Sequence, residues 1–376
     1  MPSTMTRRSL GRLLGVTAGA ALVDARFPAA LSGAAPATAP GGPIRLSANE
    51  NPYGPCAASL EALRRSSSDA SRYPGAIERE MQAALARHHG VETDQIVLGC
   101  GSSDILRMAD SEFVPAGRTL VAAEPTFEAV LNYCQATHGE TVKIPLTSDF
   151  RHDLPKMAAA CDAKTGMVYV CNPNNPTGTI VSGDELEAFL KRVPEGCVVL
   201  VDEAYFHFVE NPKYRSALDL AGRHDNVVVA RTFSKIYGMA GMRLGYAVAS
   251  RANASVMQKN ASWNNTSQSA LAMGIAGLAD ASVVPEERKK LNDTRRWLCA
   301  ELAKDRRRYI PSETNFVMID VGTDVIPVAR AFRERGIEVG RKFPSMPDWL
   351  RVSIGKPEDM EAFVVALRQI VPAKAA

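Results

Sequence analysis

The sequence predicts an α/β fold, doubly wound around a mostly parallel sheet. Three observations predict it. Between Gln95 and Lys235, short apolar runs alternate with segments of helical periodicity. The runs are almost continuously apolar, as strands are when helices cover both faces of their sheet. Polar residues gather where the runs end, on the side where open α/β sheets bind ligands.

In order, the runs are QIVLGC (95–100), TLVAAEP (119–125), TGMVYVCNP (165–173), GCVVLVDEAY (196–205) and NVVVARTFSK (226–235). Between them, DILRMADSEF, FEAVLNYCQATHG and GDELEAFLKRV repeat apolar residues at intervals of three and four, so each reads as a helix. The last follows Ser182 and carries Asp184 and Glu185 in its first turn, where acidic groups meet the positive end of the helix dipole. Adjacent His88 and His89 would diverge on a helix and are expected at a helix end in solvent. After about residue 255 the pattern shifts to a long charged helix near 284–308, then NFVMIDV, the helix VARAFRERG and LRVSIG. That tail reads as α+β. The expected division is an N-terminal arm over 41–70, a large domain over 71–255, and a helical linker with a small C-terminal domain over 256–376.

With 376 residues, 46% of them hydrophobic, the chain can bury a large core. Its 44 basic and 41 acidic residues are intermixed, which argues against nucleic acid as a partner. Its seven cysteines follow no paired spacing, so they read as small buried hydrophobes, and no metal site is expected. The first 40 residues differ. TRRSLGR is followed by the short apolar run LLGVTAGAALV and then by AALSGAAPATAP. That order marks an export signal, and Arg7-Arg8 points to the twin-arginine route and a periplasmic location. No later segment is apolar enough over sufficient length to span a membrane, and no stable membrane association is expected.

The groups at the strand ends make joint demands. GCGSSD ends a strand in glycines and opens a helix, so its amides with Ser102 and Ser103 form a phosphate-sized anion seat. Thr232, Ser234 and Arg243 can close on the same anion. Phe127 can lie against a flat ring, and Asn175 and Tyr205 offer a donor and a hydroxyl. Asp202, inside VVLVDEAY, is a costly carboxylate unless it meets a cation, either a structural partner or a ligand. Lys235, in a Gly-rich loop with a cation nearby, has the setting of an imine-forming amine. A phosphate, a ring with a protonatable nitrogen, a phenolic oxygen and an aldehyde together describe pyridoxal phosphate.

Eight segments also carry a resemblance: NENPYGP (49–55), GSSD (101–104), EPTF (124–127), CNPNNPTG (171–178), VDEAY (201–205), RTFSKIYGMAGMRLGY (231–246), NFVMID (315–320) and LRVSIG (350–355). In this order they resemble the fold-type I pyridoxal-phosphate aminotransferases, and most of all the histidinol-phosphate aminotransferase branch. The resemblance implies an aspartate-aminotransferase-like fold with a seven-stranded sheet and a smaller α+β domain. It implies Lys235 as Schiff-base lysine and proton shuttle, Asp202 on the ring nitrogen, and Asn175 and Tyr205 on the ring oxygen. Phe127 would stack on the ring, and Ser102, Ser103, Thr232, Ser234 and Arg243 would hold the phosphate. Arg351 would grip a substrate carboxylate, Asn315 would stand beside the substrate, and Tyr53 would reach the neighbouring subunit's site in a homodimer. The implied reaction is ping-pong transamination between an amino acid, or an ester such as histidinol phosphate, and a 2-oxo acid. Lys235 and Asp202 would equally serve a decarboxylase, lyase or oxidase on the same fold, or a non-catalytic cofactor-binding protein; Arg351 favours transamination. One departure bears on substrate. Gly340 stands where the branch carries a phosphate-binding arginine, with Arg341 and Lys342 displaced from it. That favours an amino acid as donor.

Overall fold

A computed structural model of the chain describes residues 42–372, so the expected export segment over 1–40 lies outside the described residues. The chain begins with β1 (Ile44–Leu46), α1 (Ala57–Ser66) and α2 (Gly75–His89). It then alternates through β2 (Ile96–Gly99), α3 (Ser102–Phe113), β3 (Thr119–Glu124), α4 (Ala129–Ala136), β4 (Glu140–Pro145), α5 (Leu154–Ala159) and β5 (Thr165–Cys171). Next come α6 (Gly183–Leu190), β6 (Val198–Asp202), α7 (Leu218–Ala221), β7 (Val227–Thr232) and β8 (Gly245–Val248). Helices α8 (Arg251–Gln258), α9 (Gln268–Ala279) and α10 (Val283–Lys304) lead to β9 (Tyr309–Ile310), β10 (Phe316–Asp320), α11 (Val325–Arg333), β11 (Ile337–Val339), β12 (Trp349–Ser353) and α12 (Pro357–Ile370).

Seven strands form one sheet in the order β2-β8-β7-β6-β5-β3-β4. Six point the same way, and β8 runs antiparallel to both β2 and β7. All five runs read from the sequence are strands in it. Two further strands, β4 and β8, were not anticipated. β4 is the edge, and its side chains alternate between exposed and half-buried, so ETVKIP never forms an apolar run. β8 is only four residues long and follows directly on the glycine-rich loop.

Central strands are buried at every position, as their composition requires. Successive side chains go to opposite faces. Met167, Tyr169 and Cys171 join one apolar cluster with Leu106 and Leu200, while Val168 and Val170 join another with Leu186 and Phe189. Each fully buried Val, Leu or Phe stabilises the fold by about 1.5–3 kcal/mol.

The tail is a three-stranded antiparallel sheet, β12-β10-β9, with Phe363 of α12 stacked on Phe332 of α11 at 5.1 Å. The first strand joins this end of the chain: β1 pairs in parallel with β11, Ile44 opposite Ile337. Residues 47–50, just after β1, are thereby carried beside β12. All these elements lie in one compact unit beginning at Ile44. His88 and His89 do end α2, but His89 is not in solvent. It is half-buried, its ring stacks on Tyr246 at 5.5 Å, and Nε2 lies 2.8 Å from the Tyr246 hydroxyl. Cys134, Cys171 and Cys197 are buried; the other four cysteines are half-buried.

Candidate active site

Because six strands are aligned, β2, β3, β5, β6 and β7 end on one edge of the sheet, and the turns beyond them wall a cavity of about 340 Å³. Its first feature is the anion seat. Gly101 has φ +81, a left-handed conformation, and turns the chain into α3 so that Ser102 and Ser103 open the helix at the cavity wall. Across from them the Thr232 hydroxyl donates to Ser234 Oγ at 2.9 Å, and Arg243 Nη1 donates to the same oxygen at 3.3 Å. The Arg243 guanidinium lies so close over Gly101 that any side chain there would overlap it. Four hydroxyls and a guanidinium thus converge on a helix N-terminus.

Asp202 closes β6 and is 2% exposed. Its carboxylate accepts from the Tyr169 hydroxyl at 2.8 Å and from the Ala204 N–H at 3.1 Å, and has no ion-pair partner among the described residues. Burial pushes its pKa up to about 6. The structure therefore leaves Asp202 without the structural cation that was one reading of it.

Lys235 follows β7, and its amine donates to the carbonyl of Asn49 at 3.1 Å. Burial, then the positive charge of Arg351, lowers its pKa to about 8. The amine stands 5.4 Å above the Tyr205 ring. Tyr205 is buried, and its hydroxyl accepts from Asn49 Nδ2 at 3.1 Å and from Asn175 Nδ2 at 3.4 Å. Burial raises its pKa further from neutrality.

Arg351 projects from the middle of β12. It donates to Asn175 Oδ1 at 2.7 Å and to the Ser47 carbonyl at 2.9 Å, while its buried Nε has no partner among the described residues. Burial lowers its pKa to about 10. An arginine so desolvated, with an N–H still unpaired, is set to meet an anion.

The cavity thus gathers Ser102, Ser103, Phe127, Asn175, Asp202, Tyr205, Thr232, Ser234, Lys235, Arg243 and Arg351. Asn315, expected beside the substrate, lies outside that lining, as does Tyr53, which was expected at a neighbouring subunit's site. Asn315 is buried behind the lining and donates to the carbonyls of Asn49 and Glu50 at 3.0 and 3.3 Å, so it fixes the segment that Lys235 contacts. Tyr53 lies half-exposed with the amines of Lys290 and Lys356 over its ring. Other contributors had no role assigned from the sequence: Asn49, quoted only within NENPYGP, Arg341, noted only as displaced from position 340, and Tyr169, Glu128 and Phe343. The one local sign for Asn49 was its place in NENP; the structure shows it as a buried asparagine in a left-handed conformation (φ 55).

Gly340 has a physical reason for lacking the branch's arginine. A Cβ there would stand 2.5 Å from the Arg351 carbonyl oxygen. Arg341 lines the cavity instead, paired with Glu128 and with its guanidinium over the Phe343 ring at 4.5 Å.

The donor set fits pyridoxal phosphate. Converging hydroxyls and Arg243 match a phosphate, Asp202 is a buried anion that a protonated ring nitrogen would satisfy, and Lys235 is an amine depressed toward neutrality.

Comparisons with known proteins agree. The model of the aminotransferase class I and II family matches residues 42–367. Histidinol-phosphate aminotransferase of Moorella thermoacetica is 37% identical, the match covering 87% of this chain and 85% of that one. Histidinol-phosphate aminotransferase 2 of Methylococcus capsulatus is 38% identical, over 88% and 91% of the two chains. The histidinol-phosphate aminotransferase of Sinorhizobium meliloti, solved in complex with pyridoxal-5′-phosphate, superposes with a TM-score of 0.82 at 29% identity, over 88% and 91%. At 19% identity, the aspartate aminotransferase of Thermus thermophilus still gives a TM-score of 0.76 over 88% and 92%, which shows the shared fold.

Proposed function

Because the chain belongs to the class I and II aminotransferases, we propose that Arg351 grips the anionic group of both substrates in turn, an amino donor and then a 2-oxo acid. The family's cofactor is pyridoxal 5′-phosphate, and the reaction is transamination. When bound, the cofactor supplies an aldehyde and a ring that accepts electron density from the substrate α-carbon. Everything else falls to this chain's residues. Ser102, Ser103, Thr232, Ser234 and Arg243 would hold the phosphate, and Phe127 and Asn175 would orient the ring. Asp202 would keep a proton on the ring nitrogen, and Tyr205 would meet the ring oxygen. Lys235 Nζ would take and return the proton at the substrate α-carbon, a role that suits an amine with its pKa near 8.

The observation that carries this reading is Arg351: buried, half-satisfied and in the same cavity as Lys235. A two-step exchange through one cavity needs a grip common to both substrates, and every 2-oxo acid offers a carboxylate. An α-amino acid offers the same group; a phosphate ester such as histidinol phosphate would offer its phosphate. Gly340 favours the amino acid. A half-reaction screen of the purified holoenzyme tests this, following loss of the cofactor's long-wavelength absorption with each α-amino acid and with histidinol phosphate. Response to histidinol phosphate alone would overturn the preference, and Lys235→Ala should abolish the response to all.

A homodimer and export complete the proposal. Tyr53, half-exposed on this chain beside Lys290 and Lys356, matches the residue that the family resemblance sends to a neighbouring subunit's site, which supports a second copy there. Light scattering that finds a monomer at micromolar concentration would remove that part. The Arg7-Arg8 signature supports twin-arginine export. Fractionation that finds only cytoplasmic protein, with residues 1–40 intact, would argue against it.

A further inference from the structure

His152 plays no part in the site as described, yet it is bonded to a residue beside it. It precedes α5, is 5% exposed, and sets Nε2 3.1 Å from Asn174 Oδ1. The other partners of Asn174 settle the amide's orientation. Nδ2 donates to the Pro125 carbonyl at 3.2 Å and to the Thr177 hydroxyl at 2.9 Å, and Oδ1 accepts the Thr126 hydroxyl at 2.9 Å. His152 therefore carries its proton on Nε2. Burial holds its pKa down at about 4, so the ring is neutral at physiological pH. Its Nδ1 is buried with no partner among the described residues, so an apolar side chain would fill this space without stranding a polar atom. The one bond the imidazole does make is thus the feature that distinguishes it from packing.

That bond is well placed. Asn174 precedes Asn175, which reaches Arg351 and Tyr205, and Thr126 precedes Phe127 in the cavity wall. A single amide joins the turn after β3 to the turn after β5, and the two walls of the ring site come from those turns.

We propose that His152 is a positioning residue: its Nε2–H locks the Asn174 amide and so holds Phe127 and Asn175 in fixed register on the cofactor ring. The inference rests on the transaminase reading and deepens it. The test compares His152→Met, which fills the volume without a donor, with His152→Gln, which keeps a donor at the Nε2 position. Measured on the full chain are cofactor affinity by titration of the apoprotein, kcat and KM of the holoenzyme, and the apoprotein's Tm. Loss of one buried hydrogen bond predicts a modestly lower apoprotein Tm in His152→Met, and the freed Asn174 amide a cofactor affinity about tenfold weaker and a lower kcat, with donor KM little changed. His152→Gln should restore affinity and kcat to within about twofold of wild type by keeping that bond. His152→Leu, a second filler without a donor, should repeat the losses, which decides the matter should His152→Met fail to fold. Wild-type cofactor affinity in His152→Met or His152→Leu would overturn the proposal, as would a His152→Gln variant as impaired as His152→Met. Wild-type enzyme inert toward every amino donor would sink the transaminase reading instead, while the cofactor titration would still judge the clamp.

Discussion

Lys235 and Asp202 are both held away from their ordinary ionisation, in opposite senses and for the same reason. Burial disfavours the charged form of each, lowering the amine to about 8 and raising the carboxyl to about 6. Only the unprotonated amine attacks an aldehyde, so capture of pyridoxal phosphate by the apoprotein should accelerate with pH through about 8. Arg351 is the second contributor to that lowering, so Arg351→Gln should move the midpoint upward, read by stopped-flow absorbance. A midpoint that does not move would show that burial alone tunes the amine. Sequence revealed these two residues because an aspartate inside an apolar run, and a lysine in the glycine-rich loop just beyond one, each demand a reason. It did not reveal Tyr169, whose hydroxyl supports Asp202 from the neighbouring strand. Their contact depends on strand register, which no local pattern encodes.

Elements place the anion seat, and β8 is the one that fits it most closely. Its first residue, Gly245, pairs with both Gly99 and Thr232, so it lies between the two halves of the seat. A Cβ on Gly245 would overlap the Ser102 backbone nitrogen and stand 2.5 Å from the Gly101 carbonyl carbon, and backbone cannot swing aside. Gly245→Ala should therefore cost about 1–3 kcal/mol of stability and weaken cofactor binding, checked by urea unfolding and apoprotein titration. A second strain lies along α3. Asp110 is fully buried, bonded to Thr137 at 3.0 Å through one oxygen and unpartnered at the other, and burial raises it to about 6. A carboxyl raised on folding contributes stability below its unfolded pKa and loses it as pH rises through the folded one. Asp110→Asn should then stabilise by about 1–2 kcal/mol at pH 7.5 and by nothing near pH 3.5, measured by unfolding at both. The periodicities gave helix α3 and the buried strands correctly. They missed β4 and β8 because an exposed edge dilutes the apolar run and a four-residue strand is too short to show one.

For the whole molecule, the cavity draws on segments from residue 48 to residue 351, so what fills it bears on the entire fold. The family resemblance reached that scale where periodicity could not, because the pairing of β1 with β11 joins residues some 290 positions apart with no local sign of it. Two linked ionisations set the consequence. Asp202, raised to about 6, contributes stability at low pH that is gone once pH exceeds 6. Lys235, lowered to about 8, contributes stability at high pH that is gone once pH falls below 8. Between pH 6 and 8 the apoprotein therefore carries both penalties at once. On the reading proposed above, a bound cofactor would relieve both, with its ring nitrogen as a cation for Asp202 and its aldehyde as a partner for Lys235, and at a hundredfold excess over Kd mass action alone adds about 2.7 kcal/mol. The gap in Tm between holoenzyme and apoprotein should accordingly be widest near pH 7 and narrow toward pH 4.5 and pH 9.5, measured by scanning calorimetry at fixed cofactor excess. Asp202→Asn should flatten the acidic limb of that curve and leave the alkaline limb in place. A gap that is constant across pH, or an acidic limb that survives in Asp202→Asn, would mean that the buried carboxylate is satisfied by the protein itself and does not wait for a cofactor.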